Sequence, residues 1–122
     1  MMWDNWEQQL KDNPDVEVEK ILFWEYSMND FDWQKSKNLV IGRVINMGGT
    51  KPIINMLALF KMYGGYEGVR NSLKNDVWGL SNSGEEWVCE TFELQRQELE
   101  SYRRKQKRIE LFGEPIDKTD WW

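Results

Sequence analysis

The sequence has 122 residues, of which 16 are lysine or arginine and 21 are aspartate or glutamate, with one cysteine and no histidine. This length fits one domain around one hydrophobic core. The lack of histidine excludes Ser-His-Asp and Cys-His catalysis, and a lone cysteine excludes an intrachain disulfide and a multi-cysteine zinc site. No apolar run approaches the roughly 20 residues of a membrane span, and the N-terminus lacks the basic start of a signal peptide. We therefore expect a cytoplasmic protein with no membrane partner.

The charge is distributed unevenly along the chain. Residues 1–33 contain nine acidic residues against two lysines, whereas YRRKQKRI, residues 102–109, contains five cations. Such an asymmetry bears on association with a partner and not on the fold. We divide the chain into an acidic, tryptophan-containing N-terminal arm (1–21), a helical domain (22–112) and a C-terminal tail (113–122).

Two conformations fit the segment that follows the first turn. NPD at 13–15 is typical of a turn. In VEVEKILFWEY, residues 16–26, apolar and acidic residues first alternate, and an apolar run follows. The alternation fits a short strand, whereas the lack of an obvious pairing strand fits an extended segment docked on the domain.

The first predicted helix covers residues 33–47. Asp32 is a suitable N-cap, because its carboxylate can accept hydrogen bonds from the first free N–H groups. Val40 and Val44 lie on one stripe, as in a helix that packs on a core. The glycine pair at 48–49 ends this helix, because glycine accepts the left-handed conformation of a C-terminal cap.

A second helix is predicted from an N-cap at Thr50 through the apolar stretch 53–63. Thr50 is the expected N-cap, and Pro52 stands in the first turn, where its missing N–H has no cost. The helix is apolar on almost every side, which is typical of a central, buried helix. A second glycine pair ends it, and a short third helix is predicted over residues 66–76.

One long helix is predicted for the rest of the domain. Ser83 precedes Glu86 by three residues, which is the spacing of a capping box. An apolar stripe continues through Phe92, Leu99 and Ile109, so the helix is expected to reach residue 112. The predicted fold class is therefore all-α: a small bundle of four to five helices with an extended N-terminal segment.

No group of residues indicates catalysis or a resident metal. The helical neighbours of Cys89 are glutamates, which raise a thiol pKa, so an inert or partly buried thiol is expected. Glu86, Glu90 and Glu93 share a helical face and could bind a hard cation, but a glutamate face is more often simply solvated. The GGTK sequence at 48–51 lacks the rest of a phosphate-binding loop. We predict no enzyme activity, no cofactor, no metal and no small-molecule substrate.

The basic run is the first candidate site for a partner or a nucleic acid. Its cations could contact phosphates or an acidic protein face. Glu100 and Glu110 lie three or four positions from several of them, so intrahelical pairing uses part of the charge. A solvated helix face, a protein or ribonucleoprotein contact and direct DNA reading all remain open. The candidate residues are Arg103, Arg104, Lys105, Lys107 and Arg108.

The aromatic ends of the chain are the second candidate site. One helical turn would place Trp3 and Trp6 on the same side. Tryptophan dominates protein interfaces, so these rings could anchor a partner; alternatively, the arms could fold back over the bundle and cover its ends. The candidate partner-binding residues are Trp3, Asp4, Trp6, Glu7, Trp121 and Trp122.

Several segments together resemble a known family. LFWEYSMNDFDWQKSKNLVIGRVINMGG, LFKMYGGYEGVRNSLKN, LSNSGEEWVCETFEL and YRRKQ resemble the DUF6922-type family of small bacterial helical proteins of uncharacterised function, over about residues 22–106. The elements that carry the resemblance are Leu22–Glu25, Asp32–Lys35, Ile41–Val44, Tyr63–Gly64 leading to Val69–Arg70, and Tyr102–Gln106. The resemblance implies a helical, non-enzymatic, antitoxin-like protein found beside nucleotidyltransferase-type toxins.

The expected function is therefore that of an inhibitory binding protein. It would restrain a nucleic-acid-acting protein, either a nuclease or a nucleotidyltransferase-type toxin, by occupying its surface. The basic run would engage an acidic protein face or RNA, and the acidic arm a basic groove. One alternative is a phage-encoded, anti-CRISPR-type inhibitor of a bacterial immune nuclease or its guide RNA complex. Another is a transcriptional regulator, with a helix-turn-helix formed by residues 50–63 and 66–76.

Overall fold

In a computed structural model, which describes residues 3–27 and 29–113, the chain folds into helices, and these residues contain no strand. The predicted all-α bundle is confirmed. The α-helices are α1 (Trp6–Asp12), α2 (Lys37–Met47), α3 (Pro52–Met62), α4 (Gly65–Asn75), α5 (Asn82–Phe92) and α6 (Glu100–Phe112); Lys20–Phe23 and Arg96–Glu98 form short 3-10 helices. The described part therefore has more helices than the four to five predicted, because α1 lies in the arm and the last predicted helix is divided.

Helix α3 is the centre of the fold, as its apolar sequence predicts. It packs against α1, α2 and α4, and its side chains from Asn55 to Phe60 are buried. After the helix, the Tyr63 hydroxyl donates a hydrogen bond of 2.8 Å to the carbonyl oxygen of Trp33. Burial raises the pKa of Tyr63 to about 12, so its hydroxyl stays protonated and can donate this hydrogen bond near neutral pH.

The N-terminus of α3 is capped by a distant carboxylate and not by Thr50. Glu19 Oε1 accepts a hydrogen bond of 2.7 Å from the backbone N–H of Lys51, and Oε2 accepts one of 2.6 Å from the Thr50 hydroxyl. Asn55 is fully buried and pairs with Glu19 through both amide atoms. The predicted Thr50 cap is therefore wrong. A carboxylate supplies more acceptor capacity than a hydroxyl and also complements the positive end of the helix dipole.

Residues 16–26 form a docked segment, so of the two alternatives the strand is not observed. Leu22 and Phe23 are buried in the core. Arg43 of α2 fixes the segment: its Nη1 donates a hydrogen bond of 2.8 Å to the carbonyl oxygen of Leu22, and its guanidinium forms an ion pair with Glu25. The same guanidinium lies 5.7 Å from the ring centroid of Phe23. The backbone acceptor that a strand partner would satisfy is thus satisfied by a side chain.

Helix α2 begins later than predicted. Asp32 Oδ1 accepts hydrogen bonds of 3.0 Å from the backbone N–H groups of Gln34 and Lys35. These bonds stabilise a turn, and the α-helix proper begins at Lys37. Asp32 therefore accepts backbone hydrogen bonds as predicted, but from the turn that precedes the helix.

The predicted long final helix is wrong, because the chain breaks between α5 and α6. Helix α5 ends at Phe92, and Glu93 has a φ of 55°, a left-handed conformation. The N-cap of α5 is Ser81, whose hydroxyl accepts a hydrogen bond of 3.0 Å from Gly84 N–H. The predicted Ser83 cap is therefore also wrong. Leu99 is fully buried even though it is not helical. Phe92 and Leu99 are both buried, one before and one after this break, so their helical spacing did not reveal that the chain turns between them.

A buried ionic cluster holds α6 against α5. Glu85 of α5 is inaccessible to solvent, and its carboxylate lies 3.0 Å from Lys105 Nζ and 2.9 Å from Arg96 Nη2. Ser101 donates a further hydrogen bond of 2.8 Å to Glu85 and accepts one of 3.0 Å from the N–H of Leu80. A carboxylate removed from water requires such partners. The corner after α5 is what brings α6 back to supply them.

The N-terminal arm is part of the same core. Trp3 is 2% exposed and packs edge-on against Phe60 with ring centroids 5.2 Å apart. Trp6 lies beside it, above Gly65, where a β-carbon would stand only 2.5 Å from the indole ring. Lys61 Nζ donates a hydrogen bond of 2.7 Å to the carbonyl oxygen of Pro14. The described residues of the predicted arm therefore share a core with the helical domain.

No helix within the described ranges is long and apolar enough to cross a membrane.

Candidate functional site

The five cations of the basic run have different roles in the structure. Lys105 is 7% exposed and belongs to the buried cluster with Glu85. It is therefore not available to a partner on the surface, which corrects the prediction for this residue. The helical periodicity of α6 explains why Lys105 is buried, since it lies one turn after the buried Ser101 and on the same inward side.

Arg103 is exposed but is used to hold helix ends together. One terminal nitrogen donates a hydrogen bond of 2.6 Å to the carbonyl oxygen of Lys74 near the end of α4, and the other donates one of 2.5 Å to the carbonyl oxygen of Glu98. Carbonyl groups at a helix C-terminus lack intrahelical donors, so a guanidinium there satisfies them and complements the dipole. Arg103 thus has a structural role that accounts for its position.

Arg104 covers an exposed tryptophan. Its guanidinium carbon lies 5.4 Å from the ring centroid of Trp78, and its Nε donates a hydrogen bond of 2.8 Å to Glu100. Trp78 is 59% exposed in the connection between α4 and α5. A cation over the face of an exposed indole is worth about 0.5–1 kcal/mol, which orders both side chains without burying them.

Lys107 and Arg108 are exposed one turn further along α6. Within the described ranges their side chains have no hydrogen bond or ion pair. Glu110 was the predicted partner for Lys107, and this pair does not form there. With Arg104 and Trp78, these two cations form a surface that we call the α6 face.

The aromatic ends do not form a second exposed site in the described residues. Of the two alternatives for the arm, the structure shows the one in which it folds back: Trp3 is buried and Trp6 is half-buried, so Trp3 is not an accessible anchor. Asp4 and Glu7 remain exposed. Trp121 and Trp122 lie outside the described residues.

Sequence analysis missed the two most accessible of the tryptophans that the structure describes. Trp24 is 78% exposed and Trp78 is 59% exposed. Trp78 stands beside Gly79 in a connection rich in turn-forming residues, which is a weak sign that its ring has no helix stripe to join. Trp24 follows the buried pair Leu22 and Phe23 in one apolar run, and nothing in that run distinguishes it from them.

Cys89 and the glutamates of α5 have neither the environment of a reactive thiol nor, within the described residues, that of a metal site. Burial raises the pKa of the Cys89 thiol; Arg96 lowers it and Glu85 and Glu98 raise it further. A thiol with a raised pKa is a poor nucleophile near neutral pH. Residues 3–27 and 29–113 contain no group of three or more potential ligands that could hold a metal ion. Glu86, Glu90 and Glu93 therefore do not combine into such a site.

The fold and this surface define a small all-α domain with an exposed cationic and aromatic face. Comparison with protein families matches residues 18–73 to a family of unknown function, DUF6922. Over these residues the chain is similar to that family, and the predicted resemblance is confirmed there. No curated protein and no solved structure gives a significant match.

The matched residues carry contacts that hold the first half of the fold together. Within the match, Arg43 joins the docked segment to α2 through Leu22 and Glu25, and Tyr63 joins α3 to the turn before α2. Residues 74–106, which the predicted resemblance also covered, lie outside the match, and so does the whole of the α6 face. The match therefore covers α2, α3 and most of α4, and it does not extend to the α6 face.

Proposed function

We propose that this protein is a binding protein without catalytic activity, which restrains a nucleic-acid-acting partner by occupying part of its surface. The partner would be a nuclease or a nucleotidyltransferase-type toxin, and the contact would be made by the α6 face. The single observation that carries the proposal is the exposed Trp78 beneath Arg104, with Lys107 and Arg108 unpaired in the described structure one turn away.

The composition of the α6 face supports a protein interface. Tryptophan and arginine supply a large share of interface binding energy, because each combines a broad apolar area with directed hydrogen-bond donors. The stacking of Arg104 on Trp78 orders both side chains before a partner arrives, which reduces the entropy lost on binding. Within the part of the chain that the structure describes, Lys107 and Arg108 have no ion pair to break before they meet an acidic surface.

The acidic N-terminal region supports a second, weaker contribution. Glu7, Asp12, Asp15 and Glu17 are exposed. Helix α1 packs on α3, whereas α6 packs on α4 and on the 3-10 helix after α5. Because Trp3 and Trp6 are occupied in holding α1, this region would guide a basic partner by charge and would not anchor it with aromatic rings.

The two alternatives differ in their support. An anti-CRISPR-type inhibitor would use the same α6 face against an immune nuclease, so the identity of the partner separates it from an antitoxin-like protein. A helix-turn-helix regulator would need cations on the outer side of α4. Arg70 instead donates a hydrogen bond of 2.9 Å to the carbonyl oxygen of Phe92, and Lys74 lies 3.9 Å from Glu98. The outward positions Glu67, Asn71 and Asn75 offer no positive charge for phosphates.

The test is capture of a partner with a matched charge control. The double variant K107E/R108E changes the α6 face, and K20E/K35E makes the same change of net charge at two exposed lysines elsewhere. We expect the first variant to lose the captured protein and the second to retain it. The captured protein is then assayed for nuclease or nucleotidyltransferase activity with and without added wild-type protein.

Three results would overturn the proposal. Equal capture by the two double variants would remove the α6 face from the contact. An unchanged activity of the captured protein would exclude inhibition. Turnover of a nucleotide, peptide or sugar by the purified protein alone would exclude a function by occupancy.

A further inference from the structure

The second half of α6 is left largely uncovered by the rest of the described protein. The buried residues of this helix are Ser101 and Lys105, and both lie in its first half. From Gln106 to Phe112 no residue is buried. The polar contacts that fix α6 therefore act on its first turns, and the turns that follow are open to a partner.

Two large apolar side chains are exposed at the end of this helix. Phe112 is 82% exposed and Leu111 is 64% exposed. Apolar residues exposed singly are ordinary, whereas neighbouring ones rimmed by polar residues are typical of an interaction site. We call Leu111 and Phe112 the apolar end of α6.

Two cations adjoin the apolar end of α6. Leu111 lies four positions after Lys107 and three after Arg108, and Phe112 lies four after Arg108. Side chains at these spacings are neighbours on a helix. Within the described ranges neither cation has a hydrogen bond or an ion pair, and Glu110 does not pair with Lys107. The apolar end is therefore bordered by positive charge that is available to a partner.

The α6 face runs without interruption into this apolar end. Arg104 lies four positions before Arg108, and its guanidinium carbon is 5.4 Å from the ring centroid of Trp78. Eight positions separate Arg104 from Phe112, which is about 12 Å along the helix axis. Exposed apolar surface thus stands at both ends of a short cationic stretch, as in a helix that binds by its side.

We propose that the apolar end of α6 is the anchor of the partner interface. Leu111 and Phe112 enter an apolar groove on a protein partner, and Lys107 and Arg108 pair with acidic residues on the rim of that groove. Residues three and four positions apart are the usual anchors of a helix bound in a groove, and opposite charge on the rim selects the partner. The inference rests on the proposed function, because it specifies the partner surface that the α6 face meets.

The charge of the whole chain favours a protein groove over a lipid surface. Basic helices with apolar residues also lie on anionic membranes. This chain has a formal charge of −5 at pH 7, so an anionic bilayer repels most of the molecule. Membrane binding also increases with the apolar area that is inserted, and two side chains insert little. A groove can enclose both side chains and needs acidic residues only at its rim.

The first experiment compares two double variants for binding to the protein that the wild type captures. L111S/F112S removes the apolar end, and I21S/W24S removes two side chains of similar exposure, 68% and 78%, elsewhere on the surface. We expect the first variant to raise the dissociation constant about thirtyfold or more, as for the loss of a dominant anchor, and the second to leave it unchanged. Because all four side chains are exposed, both variants should keep the circular dichroism spectrum and melting temperature of the wild type.

The second experiment identifies the chemistry of the partner surface. Phe112→p-benzoylphenylalanine places a photoreactive group in the apolar end, and Glu110→p-benzoylphenylalanine places the same group in a direction that differs by about 200°. We expect strong cross-linking from position 112 and little from position 110. The cross-linked segment of the partner should carry apolar residues bordered by aspartate or glutamate.

The inference is overturned if L111S/F112S binds the partner as tightly as the wild type, or if the cross-linked segment lacks acidic residues. It is also overturned if the wild type uses Leu111 and Phe112 to bind vesicles of phosphatidylcholine and phosphatidylserine in place of a protein. If only K107E/R108E loses the partner, the proposed function stands without this anchor. If the anchor behaves as expected but the activity of the partner is unchanged, the proposed function fails and the interface remains. Capture of no protein by the wild type overturns both.

Discussion

The tryptophans of the N-terminal arm and of the α6 face differ in exposure. The arm was predicted to contact a partner through Trp3 and Trp6, whereas α6 was predicted to do so through the cations of its basic run. In the structure Trp3 is 2% exposed, whereas Trp78, which sequence analysis did not select, is 59% exposed. The comparison teaches that a tryptophan near charged residues indicates a binding surface only when its ring is not buried in the core.

The same lesson holds within the basic run itself. Lys105 and Lys107 stand two positions apart, yet the first neutralises a buried carboxylate and the second is exposed without a partner in the described structure. Side chains two positions apart on an α-helix point in directions that differ by about 200°, so one can face the core while the other faces solvent. Charge counted along the chain therefore overstates the charge that a partner meets.

The largest expected effect is on stability, and it tests the difference between the buried Trp3 and the exposed Trp78. Trp3→Ala should lower the free energy of unfolding by about 3–5 kcal/mol, because it empties a buried site against Phe60. Trp78→Ala, the control, should change it by no more than about 1 kcal/mol, because the exposed ring loses little more than its contact with Arg104. Urea denaturation followed by circular dichroism measures both. Equal stabilities of the two variants would show that the ring of Trp3 does not pack against Phe60 in solution.

A somewhat smaller effect is expected from the buried carboxylate that fixes α6. Glu85→Gln leaves Lys105 and Arg96 without their counter-charge and should cost about 3 kcal/mol. Glu86→Gln, at the exposed neighbouring position, should have an effect within about 0.5 kcal/mol. The same denaturation experiment applies. A Glu85→Gln variant as stable as the wild type would contradict a buried ion pair.

The third prediction separates the structural and the exposed cations of α6. Arg103→Ala removes hydrogen bonds to the carbonyl oxygens of Lys74 and Glu98 and should cost about 1–2 kcal/mol. Lys107→Ala should leave thermal stability unchanged and affect only binding. Differential scanning calorimetry of both variants provides the measurement, and a larger loss for Lys107→Ala would reverse the assignment.

The smallest effect concerns Glu19 and depends on pH. The hydrogen bond from the Thr50 hydroxyl lowers the pKa of Glu19 from its ordinary value of 4.5; burial opposes this shift, and the Lys51 N–H and the Asn55 amide reinforce it. A lowered folded-state pKa stabilises the fold above about pH 4.5, and that contribution is lost as the pH falls through the folded-state pKa. The wild type should exceed Glu19→Gln in melting temperature at pH 7, and the difference should shrink below pH 4.5.

Glu17→Gln is the control for this pH series. The Glu17 side chain is exposed and makes no hydrogen bond or ion pair within the described ranges, so the variant should follow the wild type at every pH. A gap between Glu19→Gln and the wild type that widened on acidification would contradict the assignment of Glu19 as the cap of α3.

The sequence by itself determined the fold class and most helix positions. Apolar residues at helical spacing, glycine pairs and Pro52 are local signals, and they placed α2, α3 and α4 to within a few residues. The fully apolar stretch that became α3 was also assigned correctly to the centre. These predictions succeeded because helix formation and burial of one face depend on neighbours within about four positions.

Only the tertiary structure decided which of these residues are exposed and which are buried. Glu19 caps a helix that begins more than 30 positions later, and Glu85 pairs with Arg96 and Lys105 across a corner. Asn38 and Trp78, from different elements, line the same groove. The corner itself was invisible, because the spacing of Phe92 and Leu99 is the same whether a helix continues or folds back. Such contacts are set by how elements pack, and packing places side chains together that share no local sequence pattern.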